Sequence, residues 1–204
     1  MITLYRAPFS TNVQRVAIAL ALKGLGVESV VISYEDRSPV VAVSGQGLVP
    51  VIVDDGEVVA DSVRILRHLE ERYPEPPLFP AEAVRRAEVD LFLEWFNEVW
   101  KVAPNAMEVE LEKPSPDEAR VAELSGRMRA TLPLFEGLLD GRDHLFGELS
   151  AADLVAYPFL KYGLSREAAD DELFHRLLAE HLKLDSKYPR LRAWIARIGG
   201  LPQV

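Results

Sequence analysis

The hydrophobic rhythm of the chain changes part-way along its 204 residues. In the first part, short apolar runs alternate with stretches of helical spacing. Ile2 to Tyr5 and Val30 to Ser33 read as buried strands, and between them Val13, Val16, Ala17, Leu20 and Ala21 fall on one helical face ahead of Gly24 and Gly26. This is the pattern of a βαβ unit. Val51-Ile52-Val53 and Val58-Val59 then flank Asp54-Asp55-Gly56-Glu57, where the Asp-Gly pair predicts a tight hairpin. Ser62, Leu66, Leu69 and Tyr73 mark a further helix, giving the order β-α-β, a connection, then β-β-α.

That order fits a thioredoxin-like layer built on a mixed four-stranded sheet, so the fold class is α/β followed by all-α. The spacing beyond it is helical almost throughout. Val84, Ala87, Leu91, Trp95, Val99 and Val102 form one apolar stripe, ending near Pro104 or continuing with a kink toward Pro114. Further helices are predicted over about 116–139, 166–182 and 189–198. Ser150 stands three residues ahead of Asp153 before an apolar run, the spacing of a reciprocal capping box at the start of a buried helix. Between the two parts, Pro74, Pro76, Pro77 and Pro80 remove amide donors and fix φ repeatedly, so neither helix nor central strand crosses the segment. The predicted organisation is residues 1–73, a linker over 74–81, and an all-helical bundle over 82–204.

Composition then removes whole classes of chemistry. There are 23 Lys and Arg against 32 Asp and Glu, and the net charge of −9 repels phosphate backbones and anionic lipid, so no nucleic-acid or membrane partner is expected. No apolar run approaches the roughly 20 residues of a membrane span, and no secretory signal pattern is present, which points to the cytoplasm. Cysteine is absent, excluding disulfides, thiolate metal sites and any mechanism in which the protein supplies the thiol. His68, His144, His175 and His181 lack the i, i+4 spacing of a helical metal site, so no metal is expected and surface or capping roles are assigned to them.

Three segments carry candidate chemistry. Ser10 joins the first strand to the first helix, where unpaired amides converge and an anion is favoured; it or Thr11, with Gln14 three residues on, also fits a simple cap. A hydrolase triad is not supported, because no Gly-x-Ser-x-Gly elbow is present. Pro50 opens a strand, and a cis bond before it turns the Val49 backbone outward, free for an extended ligand; a loop-ending proline is the alternative. Asp61 and Ser62 sit at a helix N-terminus, suited either to an amino-acid headgroup or to capping.

Together, Ser10-Thr11-Asn12-Val13-Gln14-Arg15-Val16 after a strand, then Val49-Pro50-Val51-Ile52, Asp61-Ser62, Leu149-Ser150-Ala151-Ala152-Asp153-Leu154, and Tyr188-Pro189-Arg190-Leu191 with Trp194 resemble the cytosolic glutathione S-transferase family, in particular its serine-type, phi/theta-like bacterial members. The resemblance spans the whole chain. It implies a glutathione-binding first domain and a helical domain lending an apolar pocket for a small hydrophobic electrophile. It implies that Ser10 hydrogen-bonds the glutathione sulfur, with Tyr5 the rival for that role, and that Val49 with Pro50 pairs with the cysteinyl backbone. Asp61 and Ser62 would hold the γ-glutamyl end and Arg37 the glycyl carboxylate, while Tyr5, Pro8, Phe9, Trp100 and Met107 would border the electrophile. The implied activity is glutathione conjugation by a homodimer, with glutathione as cosubstrate. The alternatives are a glutathione-dependent isomerase or dehalogenase, a user of another low-molecular-weight thiol, or a non-catalytic interaction module.

Overall fold

The computed structural model describes all 204 residues, which separate into two compact units, Met1–Pro80 with Gly200–Val204, and Ala81–Gly199. The first contains β1 (Ile2–Arg6), α1 (Thr11–Leu22), β2 (Val27–Val31), α2 (Ser38–Ser44), β3 (Val51–Asp54), β4 (Glu57–Ala60) and α3 (Ser62–Arg72). The sheet order is β2-β1-β3-β4, with β1 parallel to β2 and antiparallel to β3, and β3 antiparallel to β4. Asp55 and Gly56 take positive φ values of 49° and 88°, as the two-residue hairpin requires. Side chains alternate across the sheet. Leu4 and Ile52 are fully buried with Val16, Leu20, Ile65, Leu66 and Leu69 from α1 and α3. Val51 packs instead with Ala7, Ile32 and Val40, flanked by Tyr5, Val30, Val49 and Ala60.

Two expectations about this unit are corrected. The second strand runs over Val27–Val31, not Val30–Ser33, and exposes Glu28, Ser29 and Val31, because it is an edge strand paired only with β1. The connection before β3 contains α2, which has Pro39 in its first turn and ends at Gly45 with φ 72°. Its seven residues bury only Val40, and Val41, Ala42 and Val43 beside it make the run apolar all round, which leaves no periodic signal.

The proline-rich segment is fastened to this unit by a buried cation. Lys23 Nζ donates to Glu70 Oε2 at 3.1 Å and to the carbonyls of Tyr73 and Pro76 at 2.6 and 2.8 Å. Glu70 in turn accepts from the amides of Leu78 and Phe79 at 2.8 and 3.2 Å. One ion pair thus satisfies backbone groups that the prolines leave without helical or strand partners.

The second unit contains α4 (Ala83–Trp95), a π-helical turn (Phe96–Trp100), α5 (Val102–Leu111), α6 (Glu118–Arg129), α7 (Leu132–Leu138), α8 (Ala151–Leu160), a 3₁₀ turn (Lys161–Gly163), α9 (Leu173–His181) and α10 (Pro189–Gly199). The stripe predicted to face the core does not: Val84 is 66% exposed, Leu91 68%, Val99 54% and Val102 45%. The buried face carries Val89, Phe92, Leu93, Phe96 and Trp100, whose aromatic rings bury more apolar area than the valines of the competing stripe. The helix predicted over 116–139 is divided at Ala130–Thr131, with Pro133 in the first turn of the second piece, and that predicted over 166–182 forms only over Leu173–His181.

Every residue of α8 is buried, and its start is held by the capping box of Ser150 and Asp153. Asp153 Oδ2 accepts from the Ser150 amide at 3.0 Å, while Oδ1 accepts from the Leu145 amide at 3.0 Å and from Trp194 Nε1 on α10 at 2.8 Å. One carboxylate therefore ties the cap to a distant helix.

Replacing Asp153 with Ala strands three buried donors, and chemical denaturation is expected to show a loss of about 4 kcal/mol. Lys23→Met leaves Glu70 without its cation and is expected to cost about 3 kcal/mol by the same measurement. Unchanged midpoints would show that these contacts are not structural.

Candidate functional site

The sheet register gathers the site. Tyr5 pairs with Val51, and Val51 with Ala60, so the end of β1, the start of β3 and the end of β4 lie in one row. The segments leading away from that row carry Ser10, Val49 and Asp61-Ser62, and all three arrive at one end of the sheet.

Ser10 caps α1. Its Oγ accepts from the Val13 amide at 3.4 Å, its carbonyl accepts from the Gln14 amide at 3.0 Å, and Phe9 before it takes a φ of 58° to make the turn. The hydroxyl is half-buried and donates to no group of the chain. Capping and ligand binding are therefore not competing roles, since accepting one amide leaves the proton for an outside acceptor. The Thr11–Gln14 capping pair does not form: Thr11 is the first residue of α1, and the Gln14 side chain donates to Gln203 at 3.0 Å.

The Val49–Pro50 bond is cis, and the amide and carbonyl of Val49 pair with no group of the chain. Pro50 is buried and Leu48 is 72% exposed. Gln46 turns back on its own loop, accepting from the Leu48 amide at 2.5 Å and donating to the Leu48 carbonyl at 3.0 Å. Arg37 donates to the Gly47 carbonyl at 2.7 Å and lies 5.1 Å from the centre of the Tyr34 ring, so it holds this loop and offers a ligand only its remaining N–H groups.

Asp61 precedes α3 with a φ of 78°, and its Oδ1 accepts from the amides of Val63 and Arg64, each at 3.0 Å. The Asp61 carboxylate thus caps these two amides, which is the second of the two readings of this segment. What remains for an anion is the Ser62 amide and hydroxyl, while exposed Asp61 keeps Oδ2 for a cation.

The residue that sequence reasoning passed over is Arg15. It lies on the buried face of α1, only 1% exposed, and its Nη1 donates to Ser62 Oγ at 3.1 Å. Burial pushes its guanidinium down to about 9, with the Asp61 carboxylate acting to raise it, so it is charged at neutral pH. The available signal was positional: Arg15 shares a helical face with Thr11 and Ile18, where an otherwise apolar stripe has no use for a cation.

Of the residues expected around an electrophile, Tyr5 packs half-buried on the Val40 and Val51 cluster, and Pro8 and Phe9 are exposed. Trp100 and Met107 lie in the interior of the helical unit. Trp100 is 3% exposed, stacks on Phe96 at 4.6 Å and donates to Thr131 Oγ1 at 3.0 Å, and Met107 is fully buried.

Two histidines depart from the surface roles assigned to them. His68 Nε2 lies 2.8 Å from buried Asp54, which also accepts from the Tyr73 hydroxyl at 2.9 Å. His175 Nδ1 lies 2.8 Å from buried Asp170, which accepts from the Tyr162 hydroxyl at 2.8 Å. Burial lowers the His175 pKa against the opposing influence of Asp170, so the ring is neutral at pH 7 and donates Nδ1–H. His68 and Asp54 lie at the end of β3 away from Val49 and Pro50, and His175 and Asp170 belong to the helical unit. No group of three metal-ligating side chains exists, and no helix is long and apolar enough to cross a membrane.

Comparison with known proteins finds matches to both units. The zeta class glutathione S-transferase of Euphorbia esula is 32% identical over 176 residues, covering 82% of this chain and 78% of that protein. Maleylacetoacetate isomerase of Pseudomonas aeruginosa is 45% identical over 92 residues, 42% of each protein, so this match spans less than half of that relative. A solved glutathione S-transferase from Rhodospirillum rubrum F11 superposes with a TM-score of 0.79 at 28% identity, covering 99% of this chain and 89% of that one. The family model for the glutathione S-transferase N-terminal domain matches residues 4–77 and that for the C-terminal domain residues 100–202, and with both halves matched the chain belongs to the glutathione S-transferase family.

Proposed function

We propose that the chain is a serine-type, glutathione-dependent enzyme in which Ser10 holds the ligand sulfur as a thiolate. The observation that carries this reading is the Ser10 hydroxyl, which accepts the Val13 amide and keeps its own proton at the positive end of a twelve-residue helix. The other groups fit the rest of glutathione. The unpaired Val49 amide and carbonyl suit its cysteinyl backbone, the Ser62 hydroxyl and amide its γ-glutamyl carboxylate, Asp61 the adjacent ammonium, and Arg37 the glycyl end. Glutathione when bound supplies the thiol that this cysteine-free chain lacks.

Magnitudes support the role of Ser10. Lowering a thiol pKa by about 2 from its usual value of about 8.5 requires about 2.7 kcal/mol, and one hydrogen bond to a charged group is worth about 1.5 to 3 kcal/mol before the helix terminus adds to it. Two outcomes share that step. In conjugation the sulfur stays on an electrophilic carbon, whereas in isomerisation the thiolate adds to one carbon of a cis double bond, the resulting single bond rotates, and elimination restores the double bond and releases the thiolate unchanged. The name of the Pseudomonas aeruginosa relative favours the second outcome, with maleylacetoacetate as substrate.

A homodimer is part of the proposal. Val84 and Leu91, seven residues apart on α4, are both exposed, and Leu91 borders a groove of about 470 Å³ with Phe92, Trp95, Leu134 and Leu138. Monomeric proteins seldom leave such apolar surface uncovered.

Ser10→Ala is expected to lower kcat/KM about 10- to 100-fold at neutral pH, while glutathione affinity changes less than about threefold by calorimetry. A parent-like rate in that variant would remove Ser10 from the chemistry. Counting free thiol during turnover of maleylacetoacetate separates the outcomes, since isomerisation leaves the count unchanged and conjugation depletes it. Leu91→Glu is expected to convert a dimer to monomers in sedimentation velocity, and an unaltered boundary places the interface elsewhere.

A further inference from the structure

One face of α6 lines a groove of about 700 Å³ in the helical unit. Glu118, Val121, Ala122, Ser125, Gly126 and Arg129 recur at three- and four-residue intervals and so share that face. Leu111 at the end of α5, Pro116 after it and His181 at the end of α9 complete the lining. The turn that carries Pro116 is held in place, because buried Glu110 pairs with Lys113 at 2.6 Å and accepts from the Asp117 amide at 2.9 Å. Gly126 lies inside α6, where alanine is the better helix former, and a Cβ built on it meets no atom within 4 Å. Packing within the chain therefore does not ask for a glycine there. What the glycine does is leave bare helix backbone on the groove.

The groove is apolar between two charged ends. Glu118 in the first turn of α6 and Arg129 in the last make no hydrogen bond or ion pair within the chain, and the helix between them sets them about 16 Å apart. Ser125, one turn before Arg129, shares a hydrogen bond of 3.2 Å with His181 Nδ1. Burial lowers the His181 pKa, with Glu180 opposing and Lys183 acting in the same direction, so the ring is neutral at pH 7. A neutral imidazole and a hydroxyl carry two protons, and their mutual bond uses one. Whichever tautomer forms, one N–H or O–H of the pair has no acceptor in the chain. The Arg129 end thus offers a guanidinium fork and a neutral donor, a set that receives a carboxylate, and the Glu118 end offers an acceptor for a cation.

We propose that this groove binds the extended C-terminal end of a partner protein. The terminal carboxylate meets Arg129 and the spare donor of the Ser125–His181 pair, the last side chain, a large apolar one, lies on Leu111 and Val121, and a basic residue upstream meets Glu118. Charge complementarity selects this occupant. Five extended residues span about 16 Å, so a basic side chain four positions before the terminus reaches Glu118 while the carboxylate is on Arg129. A fatty or aromatic acid answers Arg129 and leaves the Glu118 carboxylate facing apolar carbon. The Gly126 backbone lets the peptide main chain approach α6 closely. This assignment goes beyond the glutathione-dependent activity and does not rest on it.

The test is calorimetric titration of the full chain with the peptide Lys-Ala-Ala-Ala-Leu, bearing a free C-terminal carboxylate, and with its C-terminal amide. The parent is expected to bind the acid about 10- to 100-fold more tightly than the amide, the range of hydrogen bonds to a charged group. Arg129→Gln is expected to remove that difference while leaving affinity for the amide within about threefold. Gly126→Leu puts a better helix former at an exposed position and fills the groove, and it is expected to lose both peptides with an unchanged or higher Tm. Exchanging the peptide lysine for glutamate is expected to weaken binding at least about threefold at low salt, and Glu118→Lys to reverse that order. Equal binding of acid and amide by the parent overturns the proposal, and so does binding of neither. An Arg129→Gln protein that keeps the full difference, or a charge order that Glu118→Lys leaves unchanged, overturns it too. Octanoate that binds as tightly as the acid peptide shows a site for small organic acids and overturns it as well.

Discussion

The constraint on which the first unit depends is the register that sets Tyr5 opposite Val51 and Val51 opposite Ala60. Because β1 and β4 both run antiparallel to β3, the exits of the outer two strands meet the entry of the middle one. A ligand laid across that edge encounters a helix start from β1, an unpaired backbone segment before β3 and a second helix start after β4. None of these segments is near another in sequence. A slip of one residue in either pairing would turn Leu4 and Ile52 out of the core formed with α1 and α3, so the packing that stabilises the sheet also fixes the spacing of the site.

The parts of this arrangement written in local sequence were legible. Asp55-Gly56 announced the hairpin, the helical spacing from Val13 to Ala21 announced α1, and Ser150 with Asp153 announced the start of α8. Ser10, Val49 and Ser62 could be singled out because each stands at a boundary between elements, where backbone groups lack partners. What local pattern did not settle was which of two apolar faces is buried. From residue 84 to 102 one stripe of valines and leucine competes with a second of Val89, Phe92, Phe96 and Trp100, and hydropathy alone ranks them similarly. The aromatic face wins because it meets Phe135 and Phe159, contacts made across long sequence separations, and the π-helical turn at Phe96–Trp100 then shifts the phase of everything after it.

Buried polar residues were the other blind spot, and they follow one physical rule. Arg15, Lys23, Asp54, Asp153 and Asp170 are each almost inaccessible, and each joins an element to another that the apolar contacts alone would leave free to shift. Lys23 and Glu70 hold the proline-rich segment, Asp153 joins a cap to Trp194, and Asp170 joins Tyr162 to His175. Such groups look like surface residues in a composition profile, because charge is normally solvated. Their partners are determined by the fold, so a sequence shows the charge and not its purpose. Arg15 differs from the others in that a hydroxyl at a helix start, that of Ser62, accepts from it.

The same reasoning bears on the reaction. A hydroxyl that donates one hydrogen bond to a sulfur, aided by a helix terminus, lowers the thiol pKa moderately and no further, whereas a neighbouring cation would lower it much more. Moderate lowering has two opposed effects. It raises the fraction of thiolate at neutral pH but reduces the nucleophilicity of each thiolate, with a sensitivity of about 0.4 to 0.5 per pKa unit, and it improves the same sulfur as a leaving group. For irreversible conjugation only the first two matter, and once the thiol is mostly ionised further lowering only weakens the nucleophile. For addition followed by elimination all three contribute, because the sulfur must depart from the carbon it attacked. Under the proposed reading, Ser10 at the start of α1 meets the sulfur as a neutral donor, which suits reversible addition better than a full positive charge at that place would.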